Sequence, residues 1–297
     1  MSPRTLVVTP ARNEADYLPH LIAGMRTQTR TPDRWIIVDD GSTDGTGRLA
    51  RQLCSDLPWV EIVEHTGTER RHDSSKARRV NEVIESMFAD GTGSRDDVIV
   101  TFDADIVPPP GYLDAVERAY GVDPSLGVFG GIYTHHGITG VKPEPFPADI
   151  VPGGTTSIRR AAYDDIGGYW ALPFGGIDHA ACVAVQLHGW TSRHDPALVC
   201  DHLRPLGTGE GTSARRGMYR RGREDYDLGV PLWFELVKVG RWLVRRPFVV
   251  GALWMGGGYL HSFVARTPHS VPDDFLAFNR GRARARLTGA FRRTVST

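Results

Sequence analysis

The chain has 297 residues, of which 40% are hydrophobic and 24% charged, which is typical of a globular protein and not of a disordered one. Basic and acidic residues both number 35, so the net charge of zero gives no whole-chain signal for nucleic acid, and we expect no nucleic-acid partner. Three widely spaced cysteines argue against a disulfide framework and favour a reducing compartment. The length suits one large α/β domain with an appendage or two small domains, and the strand-like start predicts no signal peptide.

Short apolar strands alternate with helical patterns over the first hundred residues. The predicted strands are residues 6–8, 35–38, 60–63 and 98–102, and the predicted helices are residues 14–26, 42–53 and 73–88. This alternation predicts an α/β fold with a mostly parallel sheet and flanking helices. Ligands of such sheets bind beyond the carboxyl ends of the strands, so the polar residues at 10–14, 39–40 and 103–105 should meet at one edge.

The middle of the chain is less regular. Further strands are predicted at residues 127–133, 155–158 and 197–200, with a helix from 177 to about 187. The proline-rich residues 143–152 predict a loop, and the glycine- and threonine-rich residues 207–211 predict a mobile flap.

The last seventy residues predict association with a membrane. Residues 232–243 form an aromatic-rich helical pattern, and residues 247–264 carry no charged side chain and are just long enough to span a bilayer. Glycines dilute this segment and arginines flank it on both sides, so we expect it to insert into one leaflet or to lie at the interface, anchored by Trp242, Trp254 and Tyr259. The alternative is a helix buried against the catalytic domain. Six arginines between 280 and 293 then either touch anionic headgroups or belong to a disordered tail.

A pair of carboxylates follows the fourth predicted strand. Asp103 and Asp105 are two residues apart, so both can point toward the crevice beyond the strand end. Two carboxylates suit Mg²⁺ or Mn²⁺ bound to a diphosphate, although the same pattern alone also fits a solvated turn.

Four motifs in order resemble the family 2 glycosyltransferases, which have the GT-A fold. They are the sequences VVTPARNE at residues 7–14, VDDGSTDGT at 38–46, KARRVN at 76–81 and FDAD at 102–105. The resemblance covers about the first 225 residues. It divides the chain into a GT-A catalytic domain at 1–225, Rossmann-like in layout, and a helical, membrane-associating region with a basic tail at 226–297.

The resemblance implies roles for the residues that would bind a nucleotide-sugar donor. Pro10, Ala11 and Glu14 would line the nucleotide pocket, Asp40 would accept a hydrogen bond from the base, and Lys76 would lie near the sugar nucleotide. Arg12 stands where the family usually has an aromatic residue, which leaves base stacking open there. From the residues themselves, Asp39 is expected to accept backbone N–H groups of the following loop, and Asn81 to serve helix packing or capping as readily as binding.

The resemblance also implies a divalent metal at the diphosphate. Asp105 would bind Mn²⁺ or Mg²⁺, Asp103 would contact the ribose or the metal through water, and His202 would be a third contact unless it is only structural. Arg204 and one or two of the arginines at 215, 216, 220, 221 and 223 would close over the diphosphate, since guanidinium groups suit phosphate oxygens. Most of this cluster is instead expected at a solvated or lipid-facing surface.

An inverting transfer needs a base for the acceptor hydroxyl, and Asp178 matches the acidic motif of the family after a glycine-rich loop. Its simpler interpretation is a carboxylate that interacts with the helix dipole, and His179 is a weaker candidate. The predicted function is therefore metal-dependent transfer of a sugar from a UDP- or GDP-sugar to a lipid-linked or glycan hydroxyl. We expect this at the cytoplasmic face of the cell membrane, with the protein peripheral or monotopic. The alternatives are a nucleotidyltransferase and a non-catalytic sugar-nucleotide-binding membrane subunit.

Overall fold

The computed structural model describes residues 3–65, 73–89, 91, 93–137, 140–143, 146–204, 213–242 and 248–295. Contacts divide the chain into two units. The first is Met1–Ala171 with Ile177–Pro205, and the second is Leu172–Gly176 with Leu206–Thr297.

The first unit contains a mixed sheet with flanking helices. Its strands along the described residues are β1 (Thr5–Ala11), β2 (Arg34–Asp39), β3 (Val60–Glu64), β4 (Val98–Phe102), β5 (Ile106–Val107), β6 (Leu126–Gly137), β7 (Gly140–Pro143), β8 (Thr155–Arg159) and β9 (Thr191–His202). Its helices are α1 (Leu18–Arg26), α2 (Thr46–Leu53), α3 (Asp73–Met87), α4 (Tyr112–Val122), α5 (Arg160–Asp165) and α6 (Ile177–Leu187).

The strand order is β3-β2-β1-β4-β8-β6-β9-β5, with β7 paired to β6. Strands β1 to β4 pair in parallel, as predicted. Strand β8 runs antiparallel to both β4 and β6, and β5 runs antiparallel to β9. The sheet is therefore mixed and not mostly parallel, because β8 lies between β4 and β6 and runs in the direction opposite to both.

Strands β1, β2 and β4 are buried on both faces, whereas β3, at the edge of the sheet, is exposed or half-buried along its length. All five residues of β4 are buried, which is usual for a strand covered by helices on either side. The core includes Trp35, Phe102 and Tyr112. The Trp35 indole donates to Thr9 Oγ1 at 2.9 Å, so its polar atom is satisfied inside the core.

Helices α1 and α2 begin later than their sequence patterns predict. Asn13 has a left-handed backbone (φ 53°), and Leu18 N–H donates to Glu14 O, so a turn precedes α1. Before α2, the Asp44 carboxylate accepts the N–H groups of Ala15 and Thr46. The loops after β1 and β2 are thereby held together.

The second unit is helical, with α7 (Ala214–Asp227), α8 (Leu232–Trp242), α9 (Phe248–Val264) and α10 (Asp273–Val295). Helices α7 and α9 approach backbone to backbone. A Cβ atom at Gly222 would lie 1.9 Å from Met255 O, and one at Gly258 would lie 1.9 Å from Tyr219 O. Only glycine permits this packing.

Helix α9 has 17 residues, and none of the helices within the described ranges is long and apolar enough to cross a membrane. A bilayer span by residues 247–264, which the sequence left open, is therefore not found. The basic tail is helical to Val295 and not disordered. Helix α7 clusters with the C-terminal helices, although the predicted domain limits place most of it in the catalytic domain. The boundary at residue 225 as a functional division stays a prediction.

Candidate active site

Polar residues gather at the carboxyl edge of β1, β2 and β4, as the sequence predicts. Asp103 follows β4 directly, and its N–H donates to Gly154 O at 3.3 Å. Asp105 precedes β5, whose residue Ile106 pairs with His202 of β9. The antiparallel β5–β9 pair therefore brings His202, almost a hundred residues distant in sequence, to the Asp-x-Asp pair.

Lys76, Asp103 and Asp178 form one electrostatic cluster. Lys76 Nζ of α3 donates to Asp103 Oδ1 at 2.5 Å. Asp178 lies in the first turn of α6, and one of its carboxylate oxygens is 3.5 Å from Thr156 Oγ1. Burial raises the pKa of Asp178 above its usual value of 3.8, Lys76 opposes the rise and Asp103 adds to it. The result is a carboxylate that is a stronger proton acceptor than an ordinary aspartate.

A small cavity of about 20 Å³ borders this cluster and is lined by Lys76, Asp178, Thr101 and Tyr169, among others. That volume is of the size needed for one water molecule or one hydroxyl group. The cavity therefore leaves room for a small polar group beside the Asp178 carboxylate.

Two glycines before β8 make room for both carboxylates. A Cβ atom at Gly153 would lie 2.4 Å from Asp178 Oδ2. Gly154 has a left-handed φ of 80°, and its Cβ would lie 3.1 Å from the Asp103 carboxylate. The pair was missed from the sequence, although adjacent glycines before a strand are a recognisable signal of close backbone approach.

Asp105 contacts two basic side chains from the end of β9. His202 Nε2 lies 3.4 Å and Arg204 Nε 3.3 Å from Asp105 Oδ2. Burial acts to raise the pKa of Asp105, but the hydrogen bond with His202 and the charges of Arg204 and Lys76 outweigh it, so the pKa lies below 3.8. Asp105 is thus held in its charged form.

Arg204 also forms an ion pair with Glu14 and lies over the Tyr17 ring, 4.4 Å from its centroid. It connects the loop after β1 to the end of β9. Ala11 belongs to the hydrophobic core, and its carbonyl accepts the Asp40 N–H, whereas Pro10 is half-buried at the end of β1. Glu14 and Arg204 therefore lie together, beside Asp105.

Asp40 lies between two guanidinium groups. Arg79 Nε is 3.3 Å from Asp40 Oδ1, and an Arg12 nitrogen is 4.0 Å from Oδ2. Each guanidinium group faces a different oxygen of the Asp40 carboxylate, and Arg79 also pairs with Glu82 at 2.9 Å. Arg79 as a partner of Asp40 was missed, because the sequence places the two residues in separate motifs.

Asp39 and Asn81 were predicted to have structural roles, and both make hydrogen bonds that support the backbone. Asp39 accepts the Ser42 N–H at 2.9 Å, which confirms its predicted role in the loop. Asn81 donates to Tyr169 O and accepts from Tyr163 and from the Tyr169 N–H, so its amide is engaged in packing. The predicted flap at 207–211 lies outside the described residues.

The side chains near Asp105 include groups that can bind a divalent metal ion. Within the described part of the chain, no group of three or more His, Cys, Asp or Glu side chains is placed to hold one. Asp105 and His202 nevertheless bring an oxygen and a nitrogen together, and Mn²⁺ accepts both. Two protein ligands fit a cation that completes its shell with substrate phosphates and water.

The protein-family model for glycosyl transferase family 2 matches residues 6–176, more than half of the 297 residues. The chain belongs to glycosyl transferase family 2. The match includes β1 to β8, and with them the Asp-x-Asp pair and Lys76, but ends just before Asp178.

Curated relatives of this family 2 protein match part or most of it. It is 34% identical over 108 residues to the polyprenol monophosphomannose synthase of Mycolicibacterium smegmatis, which covers 34% of the chain and 40% of that relative. It is 32% identical over 114 residues to the succinoglycan biosynthesis protein ExoA of Rhizobium meliloti, covering 38% and 31%. The chain thus spans less than half of either relative. The glycosyltransferase AglE of Haloferax volcanii is 23% identical over 289 residues, covering 92% and 85%.

Solved structures share the fold. A mannosyltransferase from Pyrobaculum calidifontis in complex with GDP-Man and Mn²⁺ has a TM-score of 0.55 at 19% identity, covering 96% of this chain and 81% of that one. GalNAc-T7 with UDP, GalNAc and Mn²⁺ also has a TM-score of 0.55, at 14% identity, covering 90% and 58%. These likenesses establish a GT-A-like fold for the family 2 chain.

Proposed function

We propose that this family 2 protein transfers a sugar from a nucleotide-sugar donor to a hydroxyl acceptor with inversion of configuration. The observation that carries the proposal is the Lys76–Asp103 ion pair acting on Asp178, whose pKa is raised by burial. A base and a cationic group thus meet at the sheet edge where ligands of α/β proteins bind. The two Mn²⁺-bound structural neighbours with nucleotides or nucleotide sugars support the donor class.

Asp178 is the proposed base. Its carboxylate takes the proton of the acceptor hydroxyl while the acceptor oxygen bonds to the anomeric carbon of the sugar. The bond from that carbon to the diphosphate breaks, and its electron pair leaves with the nucleoside diphosphate. Lys76 places a positive charge near Asp103 and the departing phosphates, where negative charge grows.

Asp105 and His202 are the residues that would hold a divalent cation, Mn²⁺ or Mg²⁺, with Asp103 close by. When bound, such a cation acts as a Lewis acid that neutralises charge on a diphosphate. Arg204 is already beside Asp105 and supplies a guanidinium suited to phosphate oxygens, and Pro10, Ala11 and Glu14 border the same edge.

Asp40 with its two arginines is the proposed site for the base of the donor. The imide edge of uracil presents a carbonyl, an N–H and a second carbonyl, which complements a donor, an acceptor and a donor. With Asp40 as the acceptor, donors from Arg79 and Arg12 on its two sides would supply that order. Guanine presents one carbonyl and two N–H donors, so its edge would place a donor against a guanidinium. On this ground we infer a UDP-sugar in preference to a GDP-sugar.

The proposed acceptor is a lipid-linked or glycan hydroxyl, reached at the cytoplasmic face of the membrane. The name of the mycobacterial relative, a polyprenol monophosphomannose synthase, supports a lipid acceptor. Exposed apolar side chains on α8 and α9, among them Leu236, Leu253 and Leu260, support an interfacial location.

The test is release of nucleoside diphosphate from a panel of UDP- and GDP-sugars, with Mn²⁺, Mg²⁺ or EDTA and a membrane lipid extract as acceptor source. We expect a glycosylated product and equimolar nucleoside diphosphate, lost with EDTA and with Asp178→Asn. Release of pyrophosphate would instead indicate a nucleotidyltransferase. Donor binding without turnover in any combination would indicate a non-catalytic subunit.

A further inference from the structure

A second cavity, of about 500 Å³, lies within the helical unit and shares no residue with the candidate active site. Tyr226, Tyr259 and Phe263 contribute aromatic surface to it, and Arg266, His269 and Arg280 contribute basic groups. No acidic side chain is among its described lining residues. A cavity of this composition suits an anionic ligand that also carries apolar groups.

The aromatic part of the cavity is fixed by its own contacts. Tyr226 and His269 stack at a centroid distance of 4.8 Å and an interplanar angle of 17°. The Tyr259 hydroxyl donates to Val230 O at 2.7 Å, and His269 Nδ1 lies 3.0 Å from Asp227 O. The nearby Asp227 carboxylate accepts a hydrogen bond from the backbone N–H of Ser270 at 2.7 Å. The cavity is therefore preorganised.

Two arginines supply its positive charge. The side chains of Arg266 and Arg280 are exposed, and neither guanidinium forms an ion pair with any residue in the described ranges. Arg204, in contrast, is paired with Glu14. Two unpaired guanidinium groups around one cavity match the oxygens of a phosphate.

Arg266 occupies a backbone position that usually holds glycine. Its φ is 49°, its N–H donates to Phe263 O, and the Thr267 N–H donates to Ser262 O. This is the Schellman pattern that ends helices, in which the left-handed residue is normally glycine because a Cβ is disfavoured there. An arginine at this position places a guanidinium at the cavity in spite of the backbone preference.

The cavity opens beside apolar surface. Of its lining residues, Leu232 is 41% and Phe263 47% exposed, and on the same helix Leu260 and Val264 are 53% and 71% exposed. A free phosphate ion would leave this surface in water, whereas the chains of a lipid would cover it.

We propose that this cavity binds the phosphate headgroup of a lipid, with Arg266 and Arg280 at the phosphate and the acyl or prenyl chains over the exposed apolar residues of α9. The binding is independent of sugar transfer, so it can be tested whether or not the proposed function holds.

The experiment is co-sedimentation of the full-length protein with phosphatidylcholine vesicles that contain phosphatidic acid. The variants are Arg266→Gly, which suits the left-handed backbone and should keep the fold, and Arg280→Gln. The matched control is Arg284→Gln, which removes the same charge from α10 at a residue outside the cavity lining. We expect each cavity variant to bind about tenfold more weakly than the control, with thermal melting temperatures at or above that of the unaltered protein for Arg266→Gly.

Equal losses in all three variants would mean attraction of a basic surface and would overturn the proposal. Equal binding to vesicles in which oleate replaces phosphatidic acid at matched surface charge would exclude recognition of the phosphate. Equal affinity for inorganic phosphate and for short-chain phosphatidic acid below its micelle concentration would assign the cavity to a free phosphate and overturn the lipid assignment.

Discussion

Asp178 shows how one residue can serve chemistry at a cost to stability. Its carboxylate is half-buried, and burial raises its pKa, so the folded state binds this proton more tightly than the unfolded chain does. The stabilisation from a raised carboxyl pKa is complete below the unfolded pKa near 3.8. It is lost as the pH rises through the folded pKa, so above the unfolded pKa Asp178 lowers stability relative to a neutral side chain of the same shape.

Asp178→Asn should therefore lower the rate of transfer by a factor of about 10² to 10⁴. Donor affinity should stay nearly normal, and the melting temperature at pH 7 should rise. Turnover, calorimetric donor affinity and thermal unfolding measure the three effects. Asp164→Asn, which alters a surface carboxylate on α5, is the control. Loss of donor affinity in Asp178→Asn would show that the residue is structural. The acid limb of the rate of the unaltered protein should also lie above pH 3.8.

Asp40 and its arginines give a prediction about the donor base. UDP should bind more tightly than GDP, and Asp40→Asn should weaken UDP about tenfold, because an amide is a poorer acceptor between two guanidinium groups and can turn its N–H toward the base. Titration calorimetry with UDP, GDP and UMP measures this preference. Tighter binding of GDP would refute the assigned order of donor, acceptor and donor.

At the scale of elements, α8 carries a carboxylate in an unfavourable place. Glu235 is 1% exposed, and within the described residues neither of its side-chain oxygens has a hydrogen-bond partner by geometry. Burial, with the neighbouring Asp225, raises its pKa to about 8, and Lys238, which lies 3.9 Å away and pairs with Asp225, opposes the rise. The stabilisation from this raised pKa is full below the unfolded value of 4.5 and is lost by about pH 8.

The helical unit should therefore unfold at a lower temperature at pH 8.5 than at pH 5.5, and Glu235→Gln should reduce that difference and raise the melting temperature at pH 8.5. Circular dichroism at several pH values measures this. Asp273→Asn, at the start of α10, serves as the control for a general change in charge. An unchanged pH profile in Glu235→Gln would mean that other groups, such as Glu224 with a pKa of about 7, determine it.

The elements differ in how well local sequence predicts them. Strands β1 to β4 follow from short, mainly apolar runs of three to five residues, and the polar residues at their ends follow from the parallel arrangement. The direction of β8 does not follow, because an alternating or apolar run has no direction. The proximity of Gly153 to Asp178 and of His202 to Asp105 depends on that direction and on β5, a two-residue strand with too short a pattern to detect.

For the whole molecule, the sequence leaves open whether the apolar segment at residues 247–264 contacts a membrane or packs against the rest of the protein. The apolar segment forms α9, which packs on α7 and α8, and Val249, Leu253, Leu260 and Val264 remain exposed at spacings of four, seven and four residues. Such spacing places them along one side of a helix, as in an interfacial helix. Removal of everything after Arg245 would strip α9 and α10 from the helical unit, so point variants are the sharper test.

Replacement of Leu253, Leu260 and Val264 by glutamine should shift the protein from the membrane to the supernatant fraction. Each side chain is more than half exposed, so stability should change by less than about 0.5 kcal/mol for each. Flotation with vesicles and thermal unfolding measure the two effects. Val122→Gln, which places a glutamine at an apolar residue of α4 that is 78% exposed, is the control. Undiminished flotation of the triple variant would remove α9 from the proposed interface.

The contact of α7 with α9 at Gly222 and Gly258 limits how this protein can vary among natural descendants. A methyl group at either position would lie 1.9 Å from a carbonyl oxygen of the opposite helix. A smaller residue elsewhere cannot compensate, because the obstructing atoms are backbone and glycine is already the smallest residue. Any accepted change at one glycine would have to move a whole helix, so sequence drift in the helical unit should bypass these two positions while the exposed apolar residues exchange freely with one another.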